Sequence, residues 1–204
     1  GKTTCTQNIA TCFYQQWQKV LLIDADPRQQ TLLNWHQKSE KELPPIYLAG
    51  NEPLKKVVSK ASAQFDYIFI DGAAKLDEVL QSVVTVSDII LIPVQPSGVD
   101  IEGADPLLRM LENYQKNNSK TLKVLFLINA ADKKTALSKE VYSVLEKLGL
   151  PILQNRLSRS VLYVETLTNG ESIFNINTKR GRFLANEVKL LSNELRRIIH
   201  EPEI

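Results

Sequence analysis

Four short runs, VLLI (Val20–Ile23), YIFI (Tyr67–Ile70), IILIPV (Ile89–Val94) and KVLFLIN (Lys123–Asn129), are apolar almost without interruption. A strand with one wet face alternates apolar and polar residues; a strand covered on both faces does not. These four therefore read as buried strands, and the segments between them carry a helical repeat instead. Ile9, Cys12, Phe13 and Trp17 mark a helix before the first strand, and Leu76, Val79, Leu80 and Val83 mark one before the third. Leu107, Leu108 and Leu111 mark another after it, and Val141, Val144, Leu145 and Leu148 one more, with Gly149 placed to cap it. Strands alternating with helices give an α/β fold, a doubly wound, mostly parallel sheet with helices on both faces.

The tail repeats Leu184, Val188, Leu191, Leu195 and Ile198 at steps of three and four, with Glu187, Lys189, Glu194 and Arg196 off the stripe. That is a core-packing amphipathic helix of about four turns. No repeat or linker divides the 204 residues, so residues 1–204 read as a single domain, with charged Ser39–Pro45 as a surface loop. A net charge of +2 singles out no class of partner. No apolar run approaches the roughly 18 residues of a membrane span. Cys5 and Cys12 lie seven positions apart within one helix, too far for a disulfide, and read as buried small hydrophobes in a reducing compartment.

The strand ends carry the chemistry. VLLI runs into Asp24-Ala25-Asp26-Pro27, and YIFI into Asp71-Gly72. Ligands of an open parallel sheet bind at the carboxyl ends of its strands, so two strands deliver acids to one edge. The chain opens on GKTT, and Gly-Lys-Thr ends the phosphate-loop pattern G-x-x-x-x-G-K-[ST]. GKTT alone is equally a helix start, and a lone Asp is equally a cap or turn former. Together they describe a Mg²⁺–nucleotide site. Lys2 would meet the terminal phosphates, Thr3 would give its hydroxyl to Mg²⁺, and the N–H groups of Gly1 to Thr4 would cradle phosphate. Asp71 would hold a metal-bound water. Asp26 would orient an attacking water, and Asp24 would assist the metal or brace the loop.

With VLLIDADPRQQTLLNW, YIFIDGAA, DIILIPVQPSGVDIEG and NRLSRSVLYVETLTNGESIF, the chain resembles the ParA-type partition ATPases of the MinD/ParA (deviant Walker A) group. It is most similar to the small, single-domain plasmid-partition members. The resemblance implies a P-loop NTPase fold, ATP and Mg²⁺ as cofactors, weak ATP hydrolysis and an ATP-bound homodimer. It further implies nonspecific DNA binding, a centromere-binding adaptor as partner, and a bacterial, cytoplasmic, nucleoid-associated protein. By position it assigns Lys2 and Thr3 to the loop, Asp26 to water orientation, Asp71 to Walker B and Asn129 to adenine contact. It places a strand and the glycine-rich front of the loop upstream of Gly1. That makes these residues an N-terminally truncated ATPase domain, expected to bind Mg·ATP poorly and to be inactive alone. The family's signature lysine would also lie upstream. Where many members have Gln-Gly-Asn after Asp-Pro, this chain has Arg28-Gln29-Gln30.

Between Gln154 and Arg182 there are five bases (Arg156, Arg159, Lys179, Arg180, Arg182) against two acids, a candidate DNA surface once doubled in a dimer. Three other readings compete. A MinD-like membrane-surface ATPase would need a basic amphipathic tail, which acids interrupt here, so no membrane is expected. A P-loop metal-cluster carrier would need thiolates at a dimer interface. An inactive regulator would need no complete loop.

Overall fold

The computed structural model describes residues 1–16, 19–50, 52–72, 78–96, 105–118, 121–131 and 137–200. The chain begins with α1 (Lys2–Gln15), followed by β1 (Val20–Asp24), α2 (Thr31–Lys38), β2 (Ile46–Leu48), α3 (Leu54–Ala61) and β3 (Tyr67–Asp71). Next come α4 (Glu78–Val86), β4 (Ile89–Val94), α5 (Asp105–Asn117), β5 (Lys123–Ile128) and α6 (Leu137–Lys147). Then α7 (Leu162–Thr168), a 3₁₀ turn (Ile173–Asn175) and α8 (Lys179–His200) complete the order. All four expected strands form. β2 escaped the sequence reading because three residues are too few to show a period.

Every strand pairing among the described residues is parallel, as the alternation of strand and helix requires. The strands form two ribbons, ordered β2-β1-β3 and β4-β5. In the first, Val20 pairs with Tyr67 and Asp24 with Asp71, so two acids end adjacent strands side by side. Helix α1 packs against both β3 and β4 and joins the ribbons. Its Ile9 and Phe13 share one core with Phe69, Leu91, Leu127 and the α8 stripe of Leu184, Val188, Leu191 and Leu195. On the other side Ile68 and Ile70 pack in a cluster with α3, while Ile90 and Ile92 pack with α5. Alternate residues of one strand thus enter opposite cores, and this explains the continuous apolar runs.

β1 is buried throughout, whereas β3 and β4 are half-buried along most of their length and line the space of 1570 Å³ between the ribbons, where the interior strand that the resemblance places upstream of Gly1 is expected to lie. One expectation is corrected: Glu187 and Glu194, placed off the apolar stripe of the tail helix, turn inward. Glu194 accepts hydrogen bonds from the Gln154 and Asn155 amides (2.7 and 2.9 Å) and the Asn155 side chain (2.8 Å). Glu187 accepts from the Ser158 amide (3.0 Å) and hydroxyl (2.7 Å). A carboxylate can be buried when several N–H groups replace its water. The two clamp a segment that runs beside β5 through isolated bridges at Phe126–Ile152 and Ala131–Ser158. Gly149, at φ 72°, ends α6 as expected. Trp17 and Leu76, and the side chain of Val141, lie outside the described residues.

Candidate functional site

α1 starts at the carboxyl edge of the sheet. Gly1 is its N-cap, the Cys5 amide returns to the Gly1 carbonyl at 3.0 Å, and no side chain caps the end. The first turn has no acid and carries Lys2 instead. A helix start with bare amides and a lysine concentrates positive potential, the opposite of what an isolated helix prefers and what an anion requires. Lys2 is exposed; Thr3 and Thr4 are half-buried. Gly1 lies against Asn129, just past β5: a Cβ on Gly1 would collide with the Asn129 side-chain amide. The two residues assigned to opposite ends of a nucleotide, Gly1 and Asn129, are therefore neighbours.

Asp71, at the end of β3, is 4% exposed. Burial drives its pKa up to about 6; the Thr3 hydroxyl, hydrogen-bonded to it, and the charge of Lys2 pull the other way, while Asp24 adds to the rise. One carboxylate oxygen, Oδ1, is buried with no hydrogen-bond partner. An ionisable oxygen desolvated without a donor is costly unless a cation supplies the missing partner. Thr3 hydroxyl and Asp71 carboxylate together are hard oxygen donors of the kind Mg²⁺ takes, so these residues fit the ion. Among the described residues no group of three or more His, Cys, Asp or Glu gathers as a metal site.

Asp24 is fully buried but differently employed. Its Oδ1 accepts from the Asp26 amide and its Oδ2 from the Leu33 amide, both at 3.0 Å. Of the two roles expected for it, assisting the metal or bracing the loop, the contacts are those of a brace tying β1 to the start of α2. Asp26 is half-buried, and its Oδ1 accepts from the Arg28 (3.3 Å) and Gln29 (3.2 Å) amides. It forms the turn on which Arg28-Gln29-Gln30 rides. Gln30 there takes a left-handed φ of 49°.

The basic residues lie apart from this edge. Arg156, on the clamped segment, is half-buried, whereas Arg159, Lys179, Arg180 and Arg182 are exposed. Arg180 donates to the Arg159 carbonyl at 2.9 Å and lies over the Phe183 ring, so α8 and the segment form one surface. Cys5 and Cys12 are buried, and burial drives the Cys5 thiol up to about 12 and raises Cys12 as well. Both lie inside α1 against the core and not on a surface that a second copy could reach, which argues against cluster carriage. No helix of the described residues is long and apolar enough to cross a membrane.

The sequence reading missed the partners that hold this edge in place. Asn8 donates to the Thr4 carbonyl (2.9 Å) and accepts from the Ile173 amide (3.1 Å), tying the first turn of α1 to the 3₁₀ turn. Its one visible signal was an amide side chain on the apolar face of a helix.

The family model described as "CobQ/CobB/MinD/ParA nucleotide binding domain" matches residues 1–173. Maintenance of carboxysome distribution protein A of Halothiobacillus neapolitanus is 30% identical over 200 residues, 96% of this chain and 90% of that protein. Sporulation initiation inhibitor protein Soj of Bacillus subtilis is 25% identical over 215 residues, 85% of each chain. The septum site-determining protein MinD of Pyrococcus horikoshii, solved with Mg-ADP, superposes with a TM-score of 0.77 over 98% of this chain and 92% of that one, at 16% identity. The alternation of strands and helices, the acids at adjacent strand ends and the bare N-terminus of α1 thus have one common explanation: the chain has the α/β P-loop NTPase fold and belongs to the CobQ/CobB/MinD/ParA nucleotide-binding family.

Proposed function

We propose that this chain is the ATPase of a partition system. It would dimerise with ATP, bind DNA without sequence preference, hydrolyse ATP weakly, and respond to a centromere-binding adaptor. The observation that carries the nucleotide part is the pairing of the Thr3 hydroxyl with Asp71, whose second oxygen is buried without a donor. Those two residues would hold Mg²⁺, which when bound neutralises charge on the phosphates. Lys2 and the amides of the first α1 turn would bind the phosphate oxygens. Asn129, beside Gly1, would contact the base. Asp26, half-buried on its turn, would orient water, and Asp24 would keep that turn in place. The DNA part rests on the joined surface of Arg159, Lys179, Arg180 and Arg182 with Arg156 behind it.

A second reading follows from the relative of 30% identity, named for carboxysome distribution: the cargo is then a protein body rather than a replicon. Both readings share the switch and differ in the adaptor.

The test is retention on nonspecific DNA with ATP, with ADP and without nucleotide, beside flotation with liposomes. It is run on this chain and on the chain with a complete phosphate loop joined to Gly1. Binding is expected with ATP only, weakening on the order of 10³-fold between 50 and 200 mM salt for a doubled patch. Replacing Lys179, Arg180 and Arg182 with alanine reduces it without impairing ATP-dependent dimerisation. Flotation with lipid and indifference to DNA in every nucleotide state would replace this reading with the membrane-surface one.

A further inference from the structure

Glu171 presents one backbone carbonyl to two donors that come from two different helices. The Gln7 side-chain amide of α1 donates to it at 2.6 Å, and the Trp35 indole N–H of α2 donates at 2.7 Å. A carbonyl oxygen has two lone pairs, so these two donors use its full capacity. Gln7 is 0% and Trp35 1% exposed, so water does not compete for either bond. Asn8 closes the junction on the α1 side. Its amide donates to Gln7 Oε1 at 3.0 Å and to the Thr4 carbonyl, and its oxygen accepts from Ile173.

The two helices joined here are the two that bear on the sheet edge. α1 opens with the bare amides and Lys2, and α2 continues from the turn that carries Asp26. The Asp26 carbonyl receives the Gln30 amide, the Gln30 carbonyl receives the Asn34 amide, and Trp35 follows. α2 is eight residues long, and only Leu32 and Trp35 of it are buried. A helix that short takes its place from its anchors and not from its own stability. Asp24 holds its first turn through the Leu33 amide. Its last turn rests on the loop around Glu171. Lys38 donates to the Thr168 carbonyl at 3.2 Å, and Gly170 lies so near the Lys38–Ser39 backbone that a Cβ would collide with it.

We propose that Trp35 is a positioning residue for ATP hydrolysis: through the Glu171 carbonyl that it shares with Gln7, it sets the Asp26 turn relative to the phosphate-binding end of α1. The inference rests on the reading of Asp26 as the residue that orients water. Lys2, Thr3 and Asp71 take no part in the junction, so binding of nucleotide and ion does not depend on it. The rate does, because a displacement of about 1 Å from a change far from the chemistry can cost on the order of 10²-fold. Asp24 and Leu32 still hold α2 when the Trp35 bond is lost, so a smaller loss is expected.

Turnover is measured on the chain with a complete phosphate loop joined to Gly1. Trp35→Phe removes the indole N–H, and Gln7→Met removes the donor of the other arm at nearly constant volume. Glu171 keeps one donor in each, so neither leaves the buried carbonyl without a partner. Each should lower kcat on the order of tenfold and leave KM and nucleotide affinity within about twofold of the parent. Replacing Trp35 by its benzothiophene analogue, which exchanges only the N–H for sulfur, should match Trp35→Phe. Amide exchange of the 204-residue chain gives a second readout that needs no activity. Trp35→Phe should speed exchange about tenfold at Gln30, Leu33 and Asn34, and far less at Leu22 and Ile23 in β1. Parent turnover in Trp35→Phe, its analogue or Gln7→Met while Asp26→Asn is slow would overturn the proposal. Equal acceleration in α2 and β1 would do the same. Parent turnover in Asp26→Asn as well would instead remove the reading of Asp26, and this proposal with it.

Discussion

Asp24 and Asp71 are register partners on adjacent parallel strands, yet one carboxylate is saturated by two backbone amides and the other keeps a buried oxygen with no donor. Both are buried, so environment separates them: the chain turns back over Asp24 through Asp26 and Leu33, whereas Asp71 opens toward Thr3 and Lys2. An acid that folding satisfies is structural. An acid that folding leaves short of a partner is suited to bind something.

The first consequence is a pH signature. The folded pKa of Asp71 is raised from 3.8 to about 6, so between those values the folded state holds the proton that the unfolded state has released. Stability contributed by this group is then greatest at low pH and is lost as pH rises through about 6, with a ceiling of about 3 kcal/mol from the shift itself. Asp71→Asn should accordingly stabilise the chain by about 2 kcal/mol at pH 7.5 and hardly at all at pH 4. Urea unfolding at both values checks it; an equal effect at the two values would show that Asp71 ionises normally.

Asp24 should behave in the opposite way. Removing its carboxylate leaves the Asp26 and Leu33 amides without acceptors, so Asp24→Ala should cost about 3 kcal/mol at neutral pH. Asp24→Asn keeps one acceptor oxygen and should cost about half as much. Chemical denaturation gives both numbers. If Asp24→Ala leaves stability unchanged but abolishes Mg²⁺ dependence of nucleotide binding, Asp24 is a metal ligand and not a brace.

How far the sequence disclosed this depends on the range of the interactions. Strands such as VLLI and KVLFLIN and the acids that end them were legible, because burial on two faces and a turn after a strand leave local patterns. The position of Asn129 against Gly1 is not local, and neither the residue pattern nor the resemblance, which assigned Asn129 to the adenine, disclosed it. Glu194 was misread for the same reason: its helix places it off the apolar stripe, and only the segment Gln154–Asn155, forty residues away in sequence, gives it a reason to turn inward. The half-burial of β3 and β4 agrees with the interior strand that the resemblance places upstream of Gly1, although the apolar runs themselves record only that a strand belongs in an interior and not which neighbours complete it.

Glu194 yields a prediction of its own. It accepts three N–H groups while 9% exposed. Glu194→Ala should destabilise by about 3 kcal/mol, and Glu194→Gln by less, since one carbonyl oxygen remains. Loss of the clamp should also free the segment carrying Arg156 and Arg159. Amide exchange at Gln154 and Asn155 should therefore accelerate more than exchange at Val124–Ile128. Equal acceleration in both would mean that Glu194 serves global stability only.

Among the described residues, Gln30 and Ala130 are the non-glycine residues with left-handed φ, 49° and 52°. A side chain there costs roughly 1 kcal/mol relative to glycine, offset in part by the unfolded entropy that glycine adds. Ala130→Gly should raise stability by about 0.5 kcal/mol. Gln30→Gly should gain less, because the Gln30 side chain donates to the Pro27 carbonyl at 2.9 Å. Thermal melts of the two variants, with the gain larger at Ala130, check the assignment.

Asp26 has two explanations that one pair of variants separates. Its Oδ1 caps the Arg28 and Gln29 amides, a structural duty that asparagine performs as well as aspartate. Orienting an attacking water requires the negative carboxylate, and asparagine does not replace it. In the chain with a complete phosphate loop joined to Gly1, Asp26→Asn and Asp26→Ala should both lower ATP turnover on the order of 10²-fold. Nucleotide affinity should stay near that of the parent, since the residue acts on water and not on phosphate. Single-turnover hydrolysis beside calorimetric titration reads the two quantities independently. Should Asp26→Asn turn over normally while Asp26→Ala does not, Asp26 acts only through its turn, and the residue that orients water must be sought elsewhere on the same edge.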